Sequence, residues 1–265
     1  MKTSKKQKIA LVLGGGSAFG YAHIGVIKAM EEKGMKPDII LGTSMGSIVG
    51  AYYSVFGEVD SLVKVIGDTR AWKMVADPGF FSLGMIKCKR IEDLFKKVFG
   101  DKTFRSCGIP LKINGCDINS GKNIVFKSGR IRDAVRASMS VPGIFAPFVK
   151  GRQIFVDGGV TNNLMIDEVP KGYKVIAVKV TPSSDKRLFS VEAIKTRNPI
   201  KRLRYYFELV NKSFSILIEK LESHLVENHP EVTFLQPDLS KFSYVSFGKH
   251  EEIAKAGYEE AIKKL

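Results

Sequence analysis

Near its start the chain carries a wholly apolar run, Ile9-Ala10-Leu11-Val12-Leu13, that stops at Gly14-Gly15-Gly16. A short run without alternation reads as a strand buried on both faces of a parallel sheet. Beyond the glycines, Tyr21, Ile24, Ile27, Lys28 and Glu31 fall on one helical track with Val26 and Met30 beside it, and Gly34 supplies a left-handed stop. A second short strand follows over 37–42, then a second helix over 44–56 that is rich in small residues. Strand, glycine turn, helix, strand, sharp turn, helix predicts a mainly parallel sheet wrapped by helices, with any ligand at the carboxyl ends of the strands. Both turns then face one crevice.

Farther along the pattern is more broken. Residues 61–84 read as irregular, with a turn at Asp77-Pro78-Gly79, and 90–99 as a helix. Strands over 109–116 and 123–126 flank Asn119-Ser120-Gly121, a hairpin tip. A helix over 131–139 is halted by Pro142, a strand over 153–156 delivers Asp157-Gly158-Gly159 at its end, and 175–180 is another central strand. Ile200, Leu203, Phe207, Val210, Phe214, Leu217 and Leu221 step by three and four on a segment carrying Lys201, Arg202, Arg204, Lys212 and Lys220, which predicts a basic amphipathic helix. Its apolar stripe either packs on the sheet or serves a membrane surface or a second copy. A strand over 231–236 and a helix over 250–265 complete the chain.

At 265 residues the chain suits one domain spanning 1–265, its motifs in a core of 8–180 and further helical and strand elements over 195–265. The 44% hydrophobic and 26% charged content is that of an ordinary globular protein, and no segment nears the length of a membrane span. The basic head before Ile9 mimics a secretory signal, but five apolar residues make too short a hydrophobic region, so none is expected. Cys88, Cys107 and Cys116 have neither metal-ligand spacing nor an even count for a disulfide framework, which points to a reducing cytoplasm and no metal. A formal charge of +15 adds attraction to anionic surfaces, lipid or nucleic acid; no nucleic-acid fold signature accompanies it.

Three features carry candidate chemistry. Gly42-Thr43-Ser44-Met45-Gly46 stands where a strand meets a helix, the geometry of a nucleophile elbow, and the helix N-terminus favours negative charge beside Ser44. Gly14-Gly15-Gly16-Ser17-Ala18-Phe19-Gly20 presents unshielded N–H groups that suit either a pyrophosphate cradle or an oxyanion hole. A dinucleotide site expects an acidic residue at the far end of the second strand; Asp38 stands at its start, and the far end carries the elbow, so no cofactor is implied. Serine needs a base. The candidates are Asp157 at its strand end or a conventional triad through His224, His229 or His250, while His23 reads as a packed helical residue.

In this order the glycine loop, elbow and Asp-Gly-Gly resemble the bacterial patatin-like phospholipases, as do Gly20-Tyr21-Ala22-His23-Ile24-Gly25-Val26, Arg136-Ala137-Ser138-Met139-Ser140-Val141-Pro142-Gly143-Ile144-Phe145 and Val156-Asp157-Gly158-Gly159-Val160-Thr161-Asn162-Asn163. The resemblance implies a three-layer α/β/α fold and a lipid acyl hydrolase with no cofactor. Ser44 would be the nucleophile and Asp157 its only partner, flanked by Gly42, Gly46, Gly158 and Gly159, with Gly14, Gly15, Gly16 and Ser17 forming the oxyanion hole. A lipid ester would be the substrate, with peripheral contact at an anionic inner-membrane face; the rival is a catalytically idle, basic lipid-surface protein that keeps the fold. The chain departs from the family where Phe19 replaces a customary arginine, which bears on how the loop is anchored.

Overall fold

In the computed structural model, which describes residues 7–66, 77, 84–182 and 191–265, the first apolar run becomes β1 (Ile9–Leu13), buried throughout. A short 3-10 turn at Ser17–Tyr21 leads into α1 (Ala22–Glu32). Next come β2 (Ile39–Gly42) and α2 (Met45–Phe56). The sequence reads 61–84 as irregular, yet α3 (Asp60–Ile66) lies in its first part, because Leu62 and Ile66, four residues apart, share one buried face. Pro78 and Gly79 of the expected turn lie outside the described residues.

β3 (Gly84–Ile86) is followed by α4 (Lys89–Phe99), which buries Ile91, Phe95 and Phe99 at helical spacing. β4 (Leu111–Asp117) and β5 (Lys122–Phe126) form the expected hairpin, and α5 (Ile131–Ser138) ends before Pro142. Two three-residue strands that the pattern does not reveal, β6 (Gly143–Phe145) and β7 (Phe148–Lys150), precede β8 (Gln153–Asp157). The remainder comprises β9 (Lys174–Val178), α6 (Val191–Lys195), α7 (Pro199–Asn228), β10 (Thr233–Leu235) and α8 (His250–Lys264).

The main sheet runs in the order β10-β9-β1-β2-β4-β8-β7, with β5 also paired to β4. From β10 to β4 all pairings are parallel; β5, β8 and β7 are antiparallel additions. Helices cover both sides, giving the expected α/β architecture. Leu11, Leu13, Ile40, Ile113, Ile176 and Val178 face the larger core with residues of α1, α2, α4, α5 and α8. Their alternates Ala10, Val12, Leu41 and Ala177 face a smaller one with Leu164, Met165 and, from α7, Leu225. Continuous apolar runs are thus the consequence of burial on both faces.

The stripe of α7 does not pack on the sheet along its length. Leu217 and Leu221 are 62% and 55% exposed, whereas Ser215 and Glu222 face inward, at 8% and 1%. No helix among the described residues is long and apolar enough to cross a membrane.

Candidate active site

The sheet topology brings two strand ends together. β4 uses one edge for β5, opposite residues 113–117. Its other edge is shared: β2 runs along it as far as Gly42, opposite Ile113, and β8 runs the other way as far as Asp157, opposite Gly115. The carboxyl ends of β2 and β8 therefore point at each other about 7 Å apart along β4. Ser44, just past the first, and Asp157, closing the second, meet above that edge.

Ser44 adopts φ +53° and ψ −122°, a conformation that a non-glycine residue holds only under constraint, at a cost of about 1–3 kcal/mol. The constraints are local. Its N–H donates to Ser138 Oγ at 2.8 Å, and its carbonyl accepts the Ser47 N–H at 2.9 Å at the start of α2. Crowding fixes the flanks: a Cβ on Gly46 would lie 2.2 Å from the Leu13 carbonyl oxygen and one on Gly42 2.6 Å from that of Gly46. Asn114, on β4 between the strand ends, ties the two turns by accepting from Thr43 Oγ1 at 2.9 Å and donating to the carbonyls of Asn162 at 2.8 Å and Gly158 at 3.3 Å.

Asp157 is buried. Its Oδ1 accepts the Gly159 N–H at 2.8 Å, while Oδ2 completes no hydrogen bond of normal geometry among the described residues. Burial pushes its pKa up to about 6, against the opposing pull of the neighbouring Ser44 hydroxyl and the Gly159 N–H. A carboxylate so placed is a better base than an exposed one and has one oxygen in reserve.

The glycine loop lies against Ser44. A Cβ on Gly15 would sit 2.9 Å from that of Ser44 and 2.6 Å from Asn163 Oδ1, so no side chain fits there. The four residues of the expected oxyanion hole are not equivalent. The Gly14 N–H donates to Val178 O at 3.2 Å and the Gly15 N–H to Asn163 Oδ1 at 3.0 Å. Those of Gly16 and Ser17 have no acceptor in the described residues. Ser17 is held at φ +52°, its Oγ donating to Tyr244 O at 2.7 Å, and Ala18 N–H donates to the same carbonyl at 3.2 Å. Phe19, fully buried, meets the Tyr244 ring edge-on at 4.7 Å. The loop is thus anchored by the 244 segment, through these two hydrogen bonds and the Phe19–Tyr244 aromatic pair.

The histidines take no part in this cluster. His23 Nε2 lies 2.8 Å from Gly14 O, which can only accept, so the ring carries its proton on Nε2. Burial lowers its pKa to about 4, leaving it neutral and structural. His224 bonds to Asn228, His229 to Glu231, and His250 packs against Tyr21. Asp38 accepts the Ile9 N–H at 2.8 Å and joins β2 to β1, far from a ribose-binding role.

Two residues without an assigned role in the sequence complete the surroundings. Asn163 Nδ2 donates to Gly15 O at 3.2 Å and to Glu222 Oε1 at 2.6 Å. Glu222 has its pKa raised to about 7 by burial, opposed by Asn163, by Lys179 and by the Thr181 side chain; the Lys179 Nζ is 4.0 Å from Oε2. Asn163 stands inside a recognisable motif, but Glu222 is 59 residues away on a helix whose pattern shows only an apolar stripe.

A family model described as Patatin-like phospholipase matches residues 11–170, a span that holds the glycine loop, Ser44 and Asp157. Among curated proteins, the lysophospholipase NTE1 of Kluyveromyces lactis is 29% identical over 278 residues, covering 97% of this chain and 19% of that protein. An uncharacterized NTE family protein of Mycobacterium bovis is 32% identical over 166 residues, covering 62% of this chain and 46% of that protein. The chain therefore spans less than half the length of either. In fold, it resembles VipD from Legionella pneumophila, with a TM-score of 0.55 at 11% identity over 97% of this chain and 66% of that one.

Proposed function

The chain belongs to the patatin-like phospholipase family, and from that premise we propose that it hydrolyses carboxylic esters of lipids through a Ser44/Asp157 dyad. The observation that carries this reading is the buried Asp157 carboxylate, which neighbours the hydroxyl of a strained strand-to-helix serine and leaves its Oδ2 without a hydrogen-bond partner among the described residues. Asp157 accepts the Ser44 proton as Oγ attacks the ester carbonyl. The N–H groups of Gly16 and Ser17, supported by the N-terminus of α2, hold the oxyanion. Collapse of the tetrahedral intermediate breaks the ester C–O bond, and the proton on Asp157 passes to the departing alkoxide. Water then gives a proton to Asp157 while its oxygen attacks the acyl-serine, and the proton returns to Ser44 as the fatty acid leaves.

A long-chain acyl ester is the substrate class favoured by the relatives' description as lysophospholipases. The charge of +15 favours peripheral contact with an anionic cytoplasmic membrane face. A fluorophosphonate probe tests the nucleophile: wild type is labelled, and Ser44→Ala, still folded by circular dichroism, is not. Ester hydrolysis falls by about 10³-fold or more in Ser44→Ala. Unlabelled but intact wild-type protein would instead mark a catalytically idle lipid-surface protein. A panel of phospholipid, lysophospholipid and neutral glyceride then identifies the ester cleaved.

A further inference from the structure

The outward face of α7 is apolar where a helix covering a soluble core should be polar. Tyr206, Leu209, Ile216, Leu217 and Leu221 are 49–62% exposed. At 3.6 residues per turn they occupy an arc of about 140°, opposite inward-facing Ser215 and Glu222. Just ahead of α7, the short helix α6 adds Val191 and Ile194, 65% and 74% exposed.

Charge selects the occupant. Arg202 and Lys220 are exposed and lie within the same arc, and Lys195, Arg197 and Lys201 are exposed just ahead of Arg202 in the chain. Between 202 and 221 no carboxylate falls on this arc: Glu219 lies about 60° beyond its edge, although exposed Glu227, farther along the helix, returns to it. Apolar side chains flanked by cations whose long stems can lie along a bilayer while their heads reach the phosphates are what an interfacial helix needs. A like-charged second copy would bring these cations together instead.

We propose that the exposed face of α7 is a docking surface for an anionic lipid bilayer, on which the helix lies parallel to the membrane plane. This deepens the peripheral membrane contact proposed above and rests on it. The inward side of the same helix holds Glu222, which bonds Asn163 beside the glycine loop, so docking places the bilayer against the element that borders the active site.

The test is cosedimentation of the full chain carrying Ser44→Ala, so that no lipid is consumed, with vesicles of equal parts phosphatidylcholine and phosphatidylglycerol. In that background Leu209→Glu with Leu217→Glu weakens binding at least tenfold, and Arg202→Ala and Lys220→Ala each weaken it about fivefold, an effect that fades in high salt. In the Ser44-containing protein the leucine pair leaves hydrolysis of a soluble short-chain ester and the thermal midpoint unchanged, which excludes misfolding. If the parent binds and the leucine pair binds equally well, this face is refuted while membrane contact survives. If the parent does not bind, membrane contact itself falls. If the parent is a dimer that the leucine pair converts to monomer, with vesicle binding retained, a second copy covers the face and the proposal is overturned.

Discussion

Asp157→Asn should stabilise the protein while abolishing its activity. The folded chain holds this carboxyl with a pKa of about 6 against an ordinary 3.8, burial being the main cause. One pH unit between the two values corresponds to about 1.4 kcal/mol. Above pH 6 the native state therefore carries about 3 kcal/mol of unfavourable ionisation that the unfolded chain does not. The sign follows from proton counting: between about pH 4 and 6 the folded form binds more protons than the unfolded one, so stability falls as pH rises through that window. Asparagine is isosteric and neutral, and its Oδ1 can still accept the Gly159 N–H, so it removes the penalty with little else. For a chain of this size, about 3 kcal/mol corresponds to a rise of about 6–10 °C in thermal midpoint. Differential scanning calorimetry at pH 8 and again near pH 4 reads both the gain and its disappearance. A midpoint at pH 8 that stays level or drops, or a gain that is the same at both pH values, would refute a desolvated carboxylate at 157.

The same group sets the pH dependence of turnover: kcat on a soluble ester rises through an apparent pKa near 6 as Asp157 ionises, and Glu222→Gln, which removes the other raised carboxyl, leaves that limb in place. Asn163→Ala, by releasing both polar groups of Gly15, lowers kcat about tenfold to a hundredfold with little change in KM, read by steady-state kinetics. Phe19→Arg forces a guanidinium into the buried Tyr244 contact and destabilises the protein by about 3 kcal/mol or more, measured by urea unfolding.

Much of this arrangement is written locally in the chain. β1, β2 and the elbow are legible because burial on both faces removes polar residues from a strand and because a turn as crowded as 42–46 admits only small ones. The pairing of Ser44 with Asp157 is not local. It depends on β8 being antiparallel to β4 and continuing the edge that β2 leaves at Gly42, and hydrophobic pattern does not encode which strands become neighbours. β6 and β7 are too short, at three residues each, to show a period. The stripe on α7 was readable as a stripe, but periodicity states that a helix has an apolar face and not what that face meets; Leu217 meets solvent. The glycine loop was legible as a source of N–H groups, yet only the tertiary structure shows that the Gly14 and Gly15 N–H groups are already spent on Val178 and Asn163.

The family motifs are also not self-sufficient. Ser44 and Ser17 sit at positive φ, Asp157 is desolvated, and two loop N–H groups have no acceptor among the described residues; each of these local costs persists only where surrounding structure over-determines it. For Ser44 that support comes from within the matched span, through Ser138 and Asn114 on α5 and β4. For the glycine loop it comes largely from outside. The family model ends at residue 170, whereas Tyr244 anchors Ser17 and Ala18, and Glu222 holds the Asn163 that grips Gly15. The glycine loop, inside the matched span, is therefore positioned in large part by residues that lie beyond it. Phe19 takes part in that anchoring through its edge-on contact with the Tyr244 ring.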